Sequence, residues 1–363
     1  MKNKLFYGLF FFFLYSCQPQ TQETADTDAA EPPRPKNVIL LIGDGMGLTQ
    51  ITTRFYYGEG QPNFQRFPYV GLIKTSSSSH KITDSAAGAT AFSAGKKTYN
   101  GAIGVDADTV SAPTIVELVA DNLSTGLVAT SSITHATPAS FFAHVVSRSQ
   151  NEDIAAQLPG SSVDFFAGGG LKFFSEREDG LNYYDTLIQQ GFIMDSTALQ
   201  KSDTLVLDQK YGFLLAPDGM PPMQEGRGDF LPQATQMALD YLSQDEEGFF
   251  LMAEGSQIDW GGHDNNFEYI IEEMKDFDKT LGVALDFAEK DGNTLVVVTA
   301  DHETGGFALS SGGSPDELTG TFSTGSHTAD LIPVFAFGPG AEAFSGIYDN
   351  TEIFDKIKQL LLP

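Results

Sequence analysis

The sequence predicts an α/β fold: a three-layer sandwich whose central, mostly parallel sheet is covered by helices on both faces. Two observations predict it. Short, nearly unbroken apolar runs alternate with segments of helical period, as expected of strands buried on both sides and joined by crossover helices. Three of those runs lead into acids, which is where open α/β sheets place their sites: Val38–Ile42 into Gly43-Asp44-Gly45, Phe249–Ala253 into Glu254, and Thr294–Thr299 into Asp301-His302. A hydrophobic content of 41% over 363 residues belongs to a folded chain with a sizeable core.

Residues 1–16 read as an export signal, with Lys2 and Lys4 ahead of an apolar run, Leu5 to Leu14, too short for a stable bilayer span. Leu14-Tyr15-Ser16-Cys17 resembles the end of a bacterial lipoprotein signal, in which the cysteine is lipidated; the other reading is an ordinary cleaved signal with an incidental cysteine. Cys17 is the only cysteine, so no intramolecular disulfide can form. Residues 17–36, almost without large apolar side chains, read as a flexible tether.

Residues 37–363 read as one domain. Strands are expected at Val38–Ile42, Val70–Lys74, Gly126–Thr130, Val163–Ala167, Phe213–Ala216, Phe249–Ala253, Thr294–Thr299 and Ile332–Gly338. Helices are expected at Ser85–Ala94, Thr114–Asn122, Pro138–Arg148, Leu231–Ser243 and Asn265–Ala288, the last with apolar residues at 267, 270, 271, 274, 277, 281 and 284 on one face. Lys172–Lys210 is the least regular stretch and reads as an insertion on the rim.

With 21 Lys plus Arg against 48 Asp plus Glu the net charge is −27. Such a surface repels phosphate backbones and anionic headgroups, which excludes nucleic acid as a partner and leaves a lipid on Cys17 as the route to a membrane. It also repels small anionic substrates unless the site carries its own positive charge. So few basic residues point to metal ions as its source.

The residue clusters suit that. In Glu254-Gly-Ser-Gln-Ile-Asp259-Trp260-Gly-Gly-His263 two acids and a histidine are spaced to converge on cations, although Asp259 and His263 alone could be a cap and ion pair at a helix start. Thr83-Asp84-Ser85-Ala-Ala-Gly begins a helix of small residues. A serine there is most simply a cap, but its hydroxyl also lies in the positive field of the helix terminus, where an anion is received. A metal ion could then activate it without a histidine base.

Together these stretches resemble the alkaline phosphatase family of metal-dependent phosphomonoesterases, from Asn37 nearly to the C-terminus. Six motifs occur in the family's order: Asn37-Val-Ile-Leu-Leu-Ile-Gly-Asp44-Gly-Met-Gly, Thr83-Asp84-Ser85-Ala-Ala-Gly-Ala-Thr-Ala, His135-Ala-Thr137-Pro-Ala with Arg148 downstream, Glu254-Gly-Ser-Gln-Ile-Asp259, Thr299-Ala-Asp301-His302-Glu-Thr-Gly-Gly, and Gly325-Ser-His327-Thr. The resemblance implies a phosphorylated nucleophile at Ser85 and a phosphate-gripping guanidinium at Arg148. It implies one zinc on Asp259, His263 and His327, a second on Asp44, Asp301 and His302, and a magnesium on Asp44, Thr137 and Glu254. Two zinc ions and a magnesium would bring six positive charges to the site, offsetting the chain's acidity. The same resemblance implies small phosphate monoesters as substrates and a homodimer. Only 24 residues separate His302 from His327, so the crown that often forms the family's dimer interface is small here.

Two positions depart from well-known members and belong to the substrate-binding set: Trp260 stands where many carry a lysine or histidine, and His135 where some carry an acid beside the magnesium. The remaining histidines have plainer roles, His144 in the core or behind the ligands and His80 at the surface. Rival readings are a phosphodiesterase on the same scaffold and a lipoprotein that binds zinc or phosphate without turnover. A sulfatase would need a Cys/Ser-x-Pro-x-Arg stretch, which is absent. Because Trp260 removes a cation from the phosphate pocket, Trp260→Lys should strengthen inhibition by inorganic phosphate; an unchanged inhibition constant would refute that role.

Overall fold

The run Asn37–Gly43 is buried at every position and lies near the middle of a ten-stranded sheet. The computed structural model describes residues 34–200, 204–314 and 316–362, with Met1, Lys4, Leu5 and Gly8. The chain divides into two units, 1–32 and 33–363. The expected signal and tether, Cys17 included, lie almost wholly outside the described residues.

The main sheet holds β1 (Asn37–Gly43), β2 (Tyr69–Lys74), β3 (Ser124–Ser132), β4 (Phe165–Gly169), β5 (Phe192–Asp195), β6 (Lys210–Leu214), β7 (Phe249–Gly255) and β8 (Thr294–Thr299). After the separate hairpin of β9 (Phe307–Ser311) and β10 (Leu318–Phe322), β11 (Ile332–Phe337) and β12 (Gly346–Asp349) return to it. The order is β12-β2-β11-β8-β1-β7-β3-β4-β6-β5. β11 alone runs antiparallel to its neighbours, so the mostly parallel sheet expected from the sequence is what forms.

Eleven helices are described: α1 (Leu48–Tyr56), α2 (Ser85–Ala94), α3 (Ile115–Val119), α4 (Ala136–Ala139), α5 (Asn151–Gln157), α6 (Leu171–Ser175), α7 (Tyr183–Gln189), α8 (Phe230–Leu242), α9 (Gln257–His263), α10 (Phe267–Asp291) and α11 (Thr351–Leu361). Adjacent residues of β7 face opposite layers, as the pleat requires: Phe249 packs edge-on against Phe287 of α10, and Phe250 stacks on Phe141. α10 is capped by Asn266, whose side chain accepts from Tyr269 N, and ends at Gly292 in the left-handed region.

Three expectations need correction. The helix expected over Pro138–Arg148 is confined to α4. Beyond it Val145 pairs with Ile103, and Arg148 N donates to Gly101 O at 2.7 Å, so a non-local pairing draws the segment out of helical form. His144 therefore sits in an irregular segment, its Nδ1 on Gly104 O and its Nε2 on Glu117. The stretch Lys172–Lys210 is no structureless insertion but supplies most of α6, all of α7 and the edge strand β5. The helix expected over Thr114–Asn122 shortens to α3, held by a capping box between Thr114 and Glu117. His80 is exposed, as expected.

Candidate active site

β1, β3, β7 and β8 are neighbours, and the segments leaving their carboxyl ends bring Asp44, His135, Thr137, Glu254 and Asp301 to one place. Gly45, with φ +73°, lets the turn after β1 pass close to α9; a Cβ there would lie 2.6 Å from Asp259 Cα. On the other side α2 is buried at every position. Its small residues allow that, since a Cβ on Gly88 would stand 2.9 Å from Asp301 Cβ.

Asp84 caps α2. Its Oδ1 accepts from Ala87 N and Gly101 N, both at 3.0 Å, and its Oδ2 from Arg148 Nη1 at 3.0 Å. One carboxylate thus fixes both the helix that begins with Ser85 and the guanidinium beside it. Ser85 is buried, with Oγ 3.3 Å from His302 Nε2.

Asp259, His263 and His327, the set that the family resemblance implies, lie together, and His302 also stands within reach of Asp259 and His327. His263 Nδ1 contacts Gly325 O and His327 Nδ1 contacts Thr83 O, both at 2.9 Å. A carbonyl oxygen only accepts, so each Nδ1 carries a proton, which leaves Nε2 as the nitrogen able to offer a lone pair. The two Nε2 atoms lie 3.1 Å apart, and 3.4 and 3.6 Å from Asp259 Oδ1. Three electron-pair donors pointing at one another repel unless a cation or a proton lies among them.

Asp44, Asp301 and His302 form the adjoining group, fully buried. His302 Nε2 lies 3.1 Å from Asp301 Oδ2 and 3.6 Å from Asp44 Oδ1. Its ring stacks on that of His327 at 3.5 Å between centroids. His302 Nδ1 contacts Thr304 Oγ1 at 3.2 Å, and that hydroxyl donates to Asp259 Oδ1 at 2.5 Å, so Thr304 ties the two groups together. Burial opposes a charge on His302, yet Asp301 holds it above its ordinary pKa. Burial likewise opposes charge on Asp301, and His302 holds it below. His327 is lowered by burial and by His302.

The third group is Asp44, Glu254 and His135, with the Thr137 hydroxyl beside Glu254. Both oxygens of Asp44, Glu254 Oε1 and His135 Nδ1 are buried without hydrogen-bond partners. Burial and then Asp301 push the Asp44 pKa well up. Burial raises Glu254 to about 7 despite hydrogen bonds from Ser256 and Ser131. His135 keeps an edge at the surface, but burial of its nitrogens and the neighbouring Arg148 push it down to about 4. Arg148 Nη2 lies 3.3 Å from His135 Nε2. Because a guanidinium only donates, that nitrogen accepts and Nδ1 holds the proton of the neutral ring. Trp260 stands at the rim, its ring edge-on to His135 at 6.3 Å and tight against Gly219.

Every residue expected in the site therefore lies in or beside it. Sequence reasoning gave no role to Asp84 or Thr304, because a short polar residue at a turn has capping as its ordinary explanation. The position of Asp84 directly before the candidate nucleophile was the available signal.

A family model described as alkaline phosphatase matches residues 35–319. Alkaline phosphatase 3 of Bacillus subtilis (strain 168) is 34% identical over 417 residues, covering 90% of this chain and 89% of that protein. The structure of alkaline phosphatase from the Antarctic bacterium TAB5 is 53% identical, with a TM-score of 0.89 over 91% of this chain and 99% of that one. A His-to-Asp variant of the same protein, with magnesium bound in its M3 site, gives 54% identity and a TM-score of 0.90 over the same shares. The chain belongs to the alkaline phosphatase family and is a phosphatase.

Proposed function

We propose that this phosphatase hydrolyses small phosphate monoesters through a phosphoserine at Ser85, in a centre that takes two zinc ions and one magnesium. The observation that carries the reading is the convergence beside Ser85 of imidazole lone pairs and partnerless carboxylate oxygens. Asp259, His263 and His327 would hold one zinc, Asp44, Asp301 and His302 the other, and Asp44, Thr137 and Glu254 the magnesium, with His135 at its edge. The magnesium recorded in the TAB5 variant supports a third ion. When bound, such ions lower the pKa of a serine hydroxyl and neutralise charge on attacking and leaving oxygens.

The chain's own residues do the remaining work. Asp84 holds the first turn of α2, whose free N–H groups face an incoming phosphate. Arg148, fixed by Asp84, turns its guanidinium toward two phosphate oxygens that are not reacting. A monoester has three unesterified oxygens, so two would remain for Arg148 beside one facing the metal ions; a diester has two and would leave only one, which favours the monoester. Ser85 Oγ forms a bond to phosphorus as the ester P–O bond breaks and the alcohol leaves; water then cleaves the phosphoserine and frees phosphate. A binding protein without turnover would need no buried serine at this point.

The reading extends to export with a lipid on Cys17, and to a homodimer. An apolar groove lined by Leu48, Val70, Leu72, Pro333, Phe335 and Ile347 supports the second.

With p-nitrophenyl phosphate at alkaline pH, activity should vanish with EDTA, return with zinc and magnesium, and fall at least about a thousandfold in Ser85→Ala. Preference for the corresponding diester, or zinc binding without turnover, would refute the proposal. Magnesium must displace the proton that burial holds on Glu254 below its pKa of about 7. Its affinity, measured by titration calorimetry, should therefore rise between about pH 6 and pH 8 and flatten above the Glu254 value of about 7. Affinity independent of pH would contradict that assignment.

A further inference from the structure

We propose that Glu303 is a positioning residue for the metal centre, its carboxylate setting the register between the loop that carries His327 and the turn that carries Asp44. The inference rests on the zinc reading above.

Glu303 follows His302 and is only 3% exposed. Four donors converge on it: Gln50 Nε2 at 2.9 Å and Phe307 N at 3.0 Å on Oε1, Gly306 N at 3.1 Å and Thr328 Oγ1 at 2.6 Å on Oε2. Its peptide oxygen accepts from Thr328 N at 3.0 Å, so this one residue grips the neighbour of His327 twice. Through Gln50 it grips α1, the helix that begins shortly after Asp44. Gln50 Nε2 also donates to Thr304 O at 2.9 Å. The fit is close: a Cβ on Gly47 would lie 2.4 Å from Glu303 Cγ.

None of the four donors carries a formal charge. An apolar side chain here would leave all four of them without this partner, two being backbone N–H groups. What a carboxylate adds is four acceptor sites on two oxygens, enough to bind three separate segments at once. Those segments adjoin Asp44, His302 and His327, which the reading assigns to the two zinc ions. Partners behind metal ligands typically change affinity about 10–100-fold when lost. Glutamine keeps the shape but offers one acceptor oxygen, so its amide would face the Gly306 N–H and Thr328 side with donors against a donor.

Zinc affinity is measured on the full chain by competition with a chromophoric chelator, together with zinc content, kcat and KM, for the parent, Glu303→Gln and Thr328→Val. In both variants one of the two zinc ions should bind at least about tenfold more weakly, and excess zinc should restore kcat. Two zinc ions bound with parental affinity, or lost activity that zinc does not restore, would overturn the proposal. Thr328→Val removes one arm without touching the buried carboxylate, so it decides the matter if Glu303→Gln does not fold. A parent chain that binds no zinc would instead overturn the metal reading itself, and with it this inference.

Discussion

The structure depends on one electrostatic constraint: Asp44, Glu254, Asp259 and Asp301 are all buried in a single cluster at the carboxyl ends of neighbouring strands. Carboxylates brought together away from water raise one another's pKa, and Asp44 and Glu254 are raised. Elsewhere the fold offsets buried acids with its own cations. Glu273 and Asp276 on α10 share Arg227 at 2.5 and 2.8 Å, and Asp278 pairs with Arg54 at 2.9 Å. Among the described residues at the site, the guanidinium of Arg148 bonds to Asp84 and His135 and to none of the cluster's four acids. The cluster is therefore arranged for positive charge from outside the chain.

From that constraint the neighbouring structure follows. Glycines 45 and 88 let the turn after β1 and helix α2 close to contact with the acids. Backbone carbonyls hold the proton of His263 and His327 on Nδ1, leaving Nε2 free to ligate. A net charge of −27 would disfavour an anionic ester, and cations bound at this cluster would reverse that locally.

Much of this was legible in the sequence, for a physical reason. Strands covered on both faces, such as β1, β7 and β8, must be apolar throughout, so their ends and the acids beyond them stand out. Charged residues at such ends have few structural uses, which made Asp44, Glu254 and Asp301 conspicuous. What failed depended on distant pairing: the apolar pattern after Pro138 looks helical, but the Ile103–Val145 bridge takes that segment. Edge strands β5 and β12 are short and half-exposed and carry little pattern. Asp84, Thr304 and Glu303 act through hydrogen bonds to residues brought near by the fold, which spacing along the chain does not reveal.

On this reading, external cations complete the buried acidic cluster. The most direct test is thermal unfolding of chelator-stripped protein, alone and with zinc and magnesium added, at a pH above about 7, where Glu254 has lost its proton. Saturating ions at about 1,000 times their dissociation constants contribute about 4 kcal/mol per site, so the midpoint should rise by several degrees or more. A midpoint indifferent to both ions would contradict the account.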